Sequence, residues 1–144
     1  MEILDSPFFE LSPIAMWLED YSDIKKQFDI WREQGVQDLF SFLQEDESRI
    51  LDCARKIKLL KVNSKTLELY QARDFEHLHQ NLDLVFKEDM SKTHVKELLA
   101  LWNGETHFSN SAVNYTLTGD RLDIQLKGIV LPQHEHDLSL LLIT

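Results

Sequence analysis

The sequence has few of the residues that cross-link or interrupt a chain. It contains 1 cysteine, 4 glycines and 3 prolines in 144 residues. The single cysteine, Cys53, excludes an internal disulfide, and the scarcity of glycine and proline leaves no flexible linker between two domains. The sequence therefore predicts a single domain spanning residues 1–144, without internal repeats.

Basic residues and long apolar runs are also scarce. The 15 Lys and Arg face 25 Asp and Glu, which gives a net charge of -10. This charge opposes the phosphate contacts that dominate nucleic-acid binding, so no nucleic-acid partner is expected. No run approaches the ~18 apolar residues of a membrane span, and the acidic start at Met1–Asp5 does not match a signal peptide. We expect a cytoplasmic domain that does not bind a membrane.

The motifs of common enzyme classes are missing. The glycines are Gly35, Gly104, Gly119 and Gly128. Their positions permit neither a G-x-x-x-x-G-K phosphate loop nor a G-x-G-x-x-G turn, and no G-x-S-x-G nucleophile motif is present. Cys53 lies beside Ala54 on an apolar helical pattern, which favours a buried side chain over a reactive thiolate. The sequence thus predicts no catalytic residues.

Two His-x-His pairs raise the question of a metal site. His77 and His79 fall in a helical turn, where alternate side chains point apart, and His134 and His136 fall in a polar loop. Solvated loop residues and no metal site are the favoured interpretation. Adventitious metal binding at the second pair is the alternative. His94 is isolated in the sequence, so no haem ligand can be named.

Apolar periodicity in the first half predicts short strands among helices. The run Ile14–Leu18 is too short for a helix and predicts a buried strand. Three helical patterns follow, with apolar positions at Ile24, Phe28, Trp31, at Leu39, Phe40, Leu43, and at Ile50, Leu51, Ala54, Ile57. Ser22 is placed to cap the first and Gly35 to end it. Lys58–Val62 predicts a second strand, and Asn63 or Ser64 a cap for the next helix.

The second half changes from helix to sheet at Gly104. Short helical turns are expected over residues 74–90, followed by a helix that begins at Ser91. Strands with alternating apolar residues follow over 113–117 and 122–126, joined by a Gly119-Asp120 turn, and 138–143 forms a third strand. The expected fold class is α+β: an antiparallel sheet with helices on one face and extra N-terminal helices.

Four segments together resemble the PAS sensor domain. They are Ser12–Asp20, the Val62-Asn63 step that leads to Leu67-Glu68-Leu69-Tyr70, the Thr118–Arg121 hairpin, and Leu140–Thr144. The match is to a bacterial signalling subgroup with a helical insertion between the first two strands. Gln71 departs from it, because the family usually has glycine there.

The resemblance implies a cavity between sheet and helices where a small molecule or cofactor can bind. No cofactor can be named, and a filled core is the alternative. The pocket candidates are Trp17, Phe75, Val85, Phe86, Leu98, Trp102, Tyr115, Ile124 and Leu126. Leu140 and Leu142 are expected to transmit the signal out of the domain, and Thr144 is not expected to be a natural end.

The function that the resemblance implies is a non-catalytic sensor or relay. Its partner would be a C-terminal output domain of the same chain: a diguanylate cyclase, a phosphodiesterase or the histidine kinase of a two-component system. Homodimerisation is expected as well, because the leading segment is rich in apolar residues, among them Phe8, Phe9 and Leu11. The alternatives are a ligand-free dimerisation module and, less favoured, a small α+β enzyme with a hydrophobic pocket and a His/Asp pair.

Overall fold

The structure is a computed structural model and describes residues 6–86 and 90–144, with the side chains of all of these except Met90 and Ser91. The helices are α1 Pro7–Leu11, α2 Ser22–Glu33, α3 Leu39–Glu45, α4 Ser48–Arg55, α5 Ser64–Tyr70, α6 Phe75–Gln80, α7 Leu82–Val85 and α8 Met90–Trp102. The strands are β1 Trp17–Asp20, β2 Lys58–Val62, β3 His107–Tyr115, β4 Arg121–Val130 and β5 Leu141–Ile143. All strand pairs are antiparallel, in the order β2-β1-β5-β4-β3. The predicted α+β class is confirmed.

Local capping explains where α2 begins and ends. The predicted cap, Ser22, is the first helical residue instead, and its N–H donates to Oδ1 of Asp20 at 2.8 Å. Asp20 therefore supplies the oxygen that satisfies a free helix N–H. Gly35, with φ +91°, ends the helix in the left-handed conformation that glycine adopts without strain. Helix α8 was predicted to begin at Ser91. In the structure it is described from Met90, and residues 87–89 lie outside the described residues.

A β-bulge separates two regions of the β1–β2 pair. Leu18 pairs with Lys61, but Glu19 pairs with Leu59, so Leu60 is an extra residue in β2. The bulge lets both Leu59 and Val62 face the main core. It also lies directly opposite Glu19, consistent with the role of bulges in aiming particular side chains.

The sheet carries a separate apolar cluster on each face. The main core lies between one face and helices α2–α8, and contains the buried side chains of Ile24, Phe28 and Leu98. On the other face, Phe9 of α1 packs with Leu18 and Leu140. Helix α1, which the sequence did not predict, therefore packs on the face of the sheet opposite to α2–α8. Alternation along a strand explains it, because Leu18 points away from its neighbour Trp17.

The last strand is shorter than predicted. Residues 138–143 were expected to form it, but only Leu141–Ile143 do. Leu138 has φ +56°, a left-handed conformation that cannot continue a strand. The predicted hairpin joins β3 and β4, but its loop spans residues 116–120 instead of Gly119-Asp120 alone. The Gly119 N–H donates to the Thr116 carbonyl at 3.0 Å, and Gly119 has φ +97°.

Gln71 occupies a left-handed position at the end of α5, with φ 60° and ψ 39°. Its side-chain amide accepts from Oγ1 of Thr118 and donates to Oδ2 of Asp120 at 3.4 Å, which ties α5 to the β3–β4 turn. The left-handed conformation explains why glycine would suit this position. The two side-chain hydrogen bonds help to hold glutamine there.

The strain at position 71 can be measured with two matched variants. Gln71→Gly and Gln71→Ala both remove the amide contacts, but only alanine keeps a Cβ in the left-handed conformation. We expect the glycine variant to be more stable than the alanine variant by about 1 kcal/mol in urea unfolding. Equal stability of the two would contradict the backbone conformation assigned to Gln71.

Candidate ligand cavity

A cavity of about 830 Å³ lies between the inner face of the sheet and helices α4, α5, α7 and α8. This volume lies within the range of ~300–1,000 Å³ that ligand pockets occupy. Four of the sequence-predicted candidates border it: Trp17, Phe86, Ile124 and Leu126. The walls are mainly apolar. Because this space is open, the core between the sheet and the helices is not filled.

The helical candidates that remain do not border the cavity. Val85 and Leu98 are fully buried in the main core. Trp102 packs edge to face on Phe28, with ring centroids 5.2 Å apart. Phe75 stacks on His79 at 5.4 Å. These side chains fill space among the helices, which the apolar pattern alone does not distinguish from a cavity wall.

Tyr115 was assigned to the wrong face of β3. Ala112 and Asn114 point into the cavity, and Tyr115 alternates with Asn114 along the strand. The buried polar residues of this face have partners, which makes their burial possible. Asn114 donates from Nδ2 to the Tyr70 hydroxyl at 2.9 Å, and Asn110 donates to the Thr93 carbonyl at 3.4 Å.

Titratable side chains converge at one end of the cavity. Glu19 and Tyr21 come from β1 and its end, and His94 and Glu97 from α8, where a spacing of three residues places them on one face. The Tyr21 hydroxyl donates to Glu97 Oε2 at 3.4 Å, and His94 Nδ1 lies 3.3 Å from the same oxygen. We call these four residues the polar end.

Burial and repulsion change the protonation of the polar end. Burial, followed by the nearby Glu97 carboxylate, raises the pKa of Glu19 from 4.5 to about 8. Burial and the same two carboxyl groups raise the pKa of Tyr21 well above its usual value. Two carboxylates in a poorly solvated space cannot both ionise easily. Glu19 is therefore mainly protonated at neutral pH.

One buried atom of the polar end lacks a hydrogen-bond partner. Among the side chains that the structure describes, Nε2 of His94 is the only buried nitrogen or oxygen without a partner, and His94 is only 3% exposed. A buried polar group that is left unpaired costs about 1–3 kcal/mol. A bound molecule that supplies partners would recover part of this energy.

The polar end was not predicted from the sequence. Glu19 was not singled out as a site residue, and His94 was treated as an isolated residue. Two signals were available: Glu19 lies between Trp17 and Tyr21 in strand alternation, and His94 precedes Leu98 by four residues. Both place a polar residue on an otherwise apolar face.

The other sequence candidates lie apart from the cavity. Burial raises the pKa of the Cys53 thiol to about 11, and Cys53 packs in the main core. His134 Nδ1 is 2.7 Å from Ser139 Oγ, and His77 Nδ1 accepts from the backbone of Arg73 at 3.1 Å. Among the residues that the structure describes, no group of three or more His, Cys, Asp or Glu is arranged to hold a metal ion.

Comparisons with known proteins agree with this architecture. No family model matches the sequence, and no curated protein matches it. The fold is similar to a domain of a sensory box sensor histidine kinase/response regulator from Geobacter sulfurreducens, with 17% identity, a TM-score of 0.54, and coverage of 94% of this chain and 85% of that one. It is also similar to a light-oxygen-voltage domain studied with a flavin analogue, with 16% identity, a TM-score of 0.55, and coverage of 90% and 73%.

A third similar structure is the PAS domain, in complex with ethanol, of a LuxR-family transcriptional regulator from Burkholderia thailandensis. It has 9% identity, a TM-score of 0.54, and coverage of 94% of this chain and 89% of that one. Each of the three similar structures covers at least nine-tenths of this chain, so the similarity includes both the sheet and the helices that pack on it. The protein has the PAS sensor-domain fold. In the described parts of the chain, no helix is long and apolar enough to cross a membrane.

Proposed function

We propose that this chain is a non-catalytic sensory domain that binds a small molecule in the cavity and relays its occupancy to an output module that follows β5. The cavity of about 830 Å³ is the observation that supports it. Its apolar walls favour binding of an organic molecule, and its polar end provides specificity. Ligand binding would act by shifting the population between two conformations.

The relay is proposed to run through β5. Ile143 borders the cavity, whereas Leu140 and Leu142 pack with the Phe9 cluster on the opposite face. Leu140 and Leu142 therefore do not border the cavity themselves. A displacement of Ile143 would move Leu142, its neighbour, and the contact with α1. We propose that this route carries the signal.

Filling the cavity tests the ligand-binding proposal. Ala112→Phe adds an aromatic ring to a wall residue, and Ser111→Phe adds the same ring at an exposed position of the same strand. With the neutral dye Nile red as the probe, we expect the wall variant to bind about tenfold or more weakly than wild type, and the exposed variant to bind normally. Fluorescence titration measures both, and circular dichroism checks folding. Equal binding by all three proteins would refute ligand binding in this cavity.

A small enzyme is the second candidate, because titratable groups converge at the polar end. Glu19 and His94 are residue types that act as general acids and bases. The sensor is favoured because Tyr21, His94 and Glu97 are all buried, and the motifs that activate a nucleophile are missing from the sequence. Hydrolysis of esters or phosphoesters that is lost in Glu19→Gln would favour the enzyme.

Homodimerisation through α1 remains a proposal. One face of α1 packs on the sheet through Phe9, while Phe8 and Leu11 are 86% and 78% exposed. A second copy is the proposed partner, since twofold dimers are the most common closed assembly.

Disruption of the α1 surface provides the test of that proposal. The double variant Phe8→Asp/Leu11→Asp is expected to sediment as a monomer at about 100 μM, where wild type sediments as a dimer. The melting temperature should change little, because both side chains are exposed. A monomeric wild type at that concentration would contradict the proposal.

A further inference from the structure

The charges that border the cavity are mostly negative. Glu19, Glu97 and Asp83 line it, against the single cation Arg55 among the described lining residues. The Arg55 side chain is 77% exposed and pairs with Asp52 at 3.4 Å, so it does not neutralise the polar end. An anionic ligand would meet the Glu97 carboxylate in a poorly solvated space, where repulsion between like charges is strong.

Aromatic rings surround the same space. Trp17 precedes Glu19 by two residues and so faces the same side of the sheet. It contacts Tyr70 at 5.2 Å and Phe86 at 6.2 Å between ring centroids. All three rings border the cavity. Aromatic faces attract organic cations as well as apolar groups, and carboxylates attract cations.

We propose that the cavity binds an organic amine, whose ammonium group lies at the polar end between Glu19 and Glu97 and whose apolar body lies against Trp17 and Phe86. This inference rests on the proposed ligand-binding function and defines the chemical class of the ligand. The ammonium N–H groups would donate to the carboxyl groups of Glu97 and Glu19, which both border the cavity. Hydrogen bonds between charged groups are the strongest available to this site.

Binding of an ammonium group would release a proton. Without ligand, the Glu19 carboxyl is mainly protonated at neutral pH, because its pKa is about 8. A cation beside it favours the ionised form, so the proton leaves to solvent as the ammonium enters. The titratable and charged groups that face this space from the surrounding elements are Tyr21, Tyr70, Arg55, Asp83, His94 and Glu97.

The experiment compares three probes with the same phenyl and four-carbon skeleton on the folded domain: phenylbutylamine, phenylbutanol and phenylbutanoate. We expect calorimetric titration to rank the amine first, about tenfold or more tighter than the alcohol, with the acid weakest. Glu19→Gln should remove most of this preference for the amine and leave alcohol binding within about twofold, because a neutral amide replaces the carboxyl without changing its shape. Glu33→Gln, an exposed site on α2, serves as the control.

Titration in buffers of different ionisation enthalpy counts the protons. Amine binding near pH 7 is expected to release up to about one proton, and release should disappear above about pH 9, where Glu19 is already ionised. Wild-type protein alone suffices for this measurement, so a folding defect in Glu19→Gln would not prevent it.

The outcomes separate the two proposals. If the alcohol binds as tightly as the amine, or if amine binding releases no proton, the amine is wrong while ligand binding in the cavity stands. If none of the three probes binds, the amine proposal is again wrong. Nile red titration of Ala112→Phe then decides separately whether the cavity binds any ligand.

Discussion

Replacement of Asn63 by alanine is expected to lower the free energy of unfolding by about 4 kcal/mol. The side chain of Asn63 is fully buried and holds three segments together. Its Nδ2 donates to the carbonyls of Phe9 and Ile14 at 3.0 and 2.9 Å. Its Oδ1 accepts from the backbone of Met16 and from both the backbone and the hydroxyl of Thr66. Alanine removes the cap of α5 and leaves several buried backbone groups unpaired.

Asn103→Ala is the matched control for this experiment. Asn103 is an exposed asparagine that follows α8, and its replacement should change stability by less than about 0.5 kcal/mol. Urea unfolding measures both variants, and hydrogen exchange should show that the segment from α1 to Met16 loses protection in Asn63→Ala. A loss below about 1 kcal/mol would show that the network contributes no more than an ordinary surface contact.

Raising the pH is expected to destabilise the domain through Glu19. The carboxyl releases its proton near 4.5 when unfolded but near 8 when folded. Between these values the folded state binds more protons, so stability falls as pH rises. The contribution is fully present below about pH 4.5 and is lost as the pH rises through about 8. At about 1.4 kcal/mol per unit, with water in the cavity reducing the effect, the loss is about 3–5 kcal/mol.

Glu19→Gln isolates this effect, because glutamine has the shape of a protonated glutamate and does not titrate. The difference in unfolding free energy between wild type and Glu19→Gln should change by about 3–5 kcal/mol from about pH 4.5 to 9 in favour of the variant. The same measurement on Glu33→Gln corrects for groups elsewhere in the chain. A difference that does not vary with pH would place Glu19 in solvent and remove the basis for proton release by a ligand.

Features that depend on neighbouring residues could be predicted from the sequence. The bounds of β2 are those predicted, because the apolar run ends at a residue that caps the next helix. The hairpin turn at Gly119 was predicted for the same kind of reason, since only a few residue types adopt its conformation. The order of elements and the fold class followed from these local signals.

Features that depend on residues far apart in the chain could not be predicted from the sequence. The bond between Tyr21 and Glu97 joins residues 76 positions apart, so no local pattern reports it. In β3, polar and apolar residues alternate, and the apolar set was assumed to face inward. Asn114 lies on the buried face instead, where its Nδ2 donates to the hydroxyl of Tyr70, 44 positions away. Such a distant partner makes the burial of a polar residue possible, and no local pattern reports it.

The bulge in β2 affects how this chain must be aligned with others of its fold. Leu60 has no partner of its own in β1, so the alternation of inward and outward residues changes phase there. A chain whose second strand pairs regularly has one residue fewer between the positions of Leu59 and Val62. If an alignment places no gap at Leu60, the residues on one side of the bulge are out of phase by one position. Inward-facing residues of this chain are then matched with outward-facing residues of the other chain. Deletion of Leu60 would remove the extra residue and let β2 pair regularly with β1, with Leu59 and Val62 two positions apart and both still facing the core.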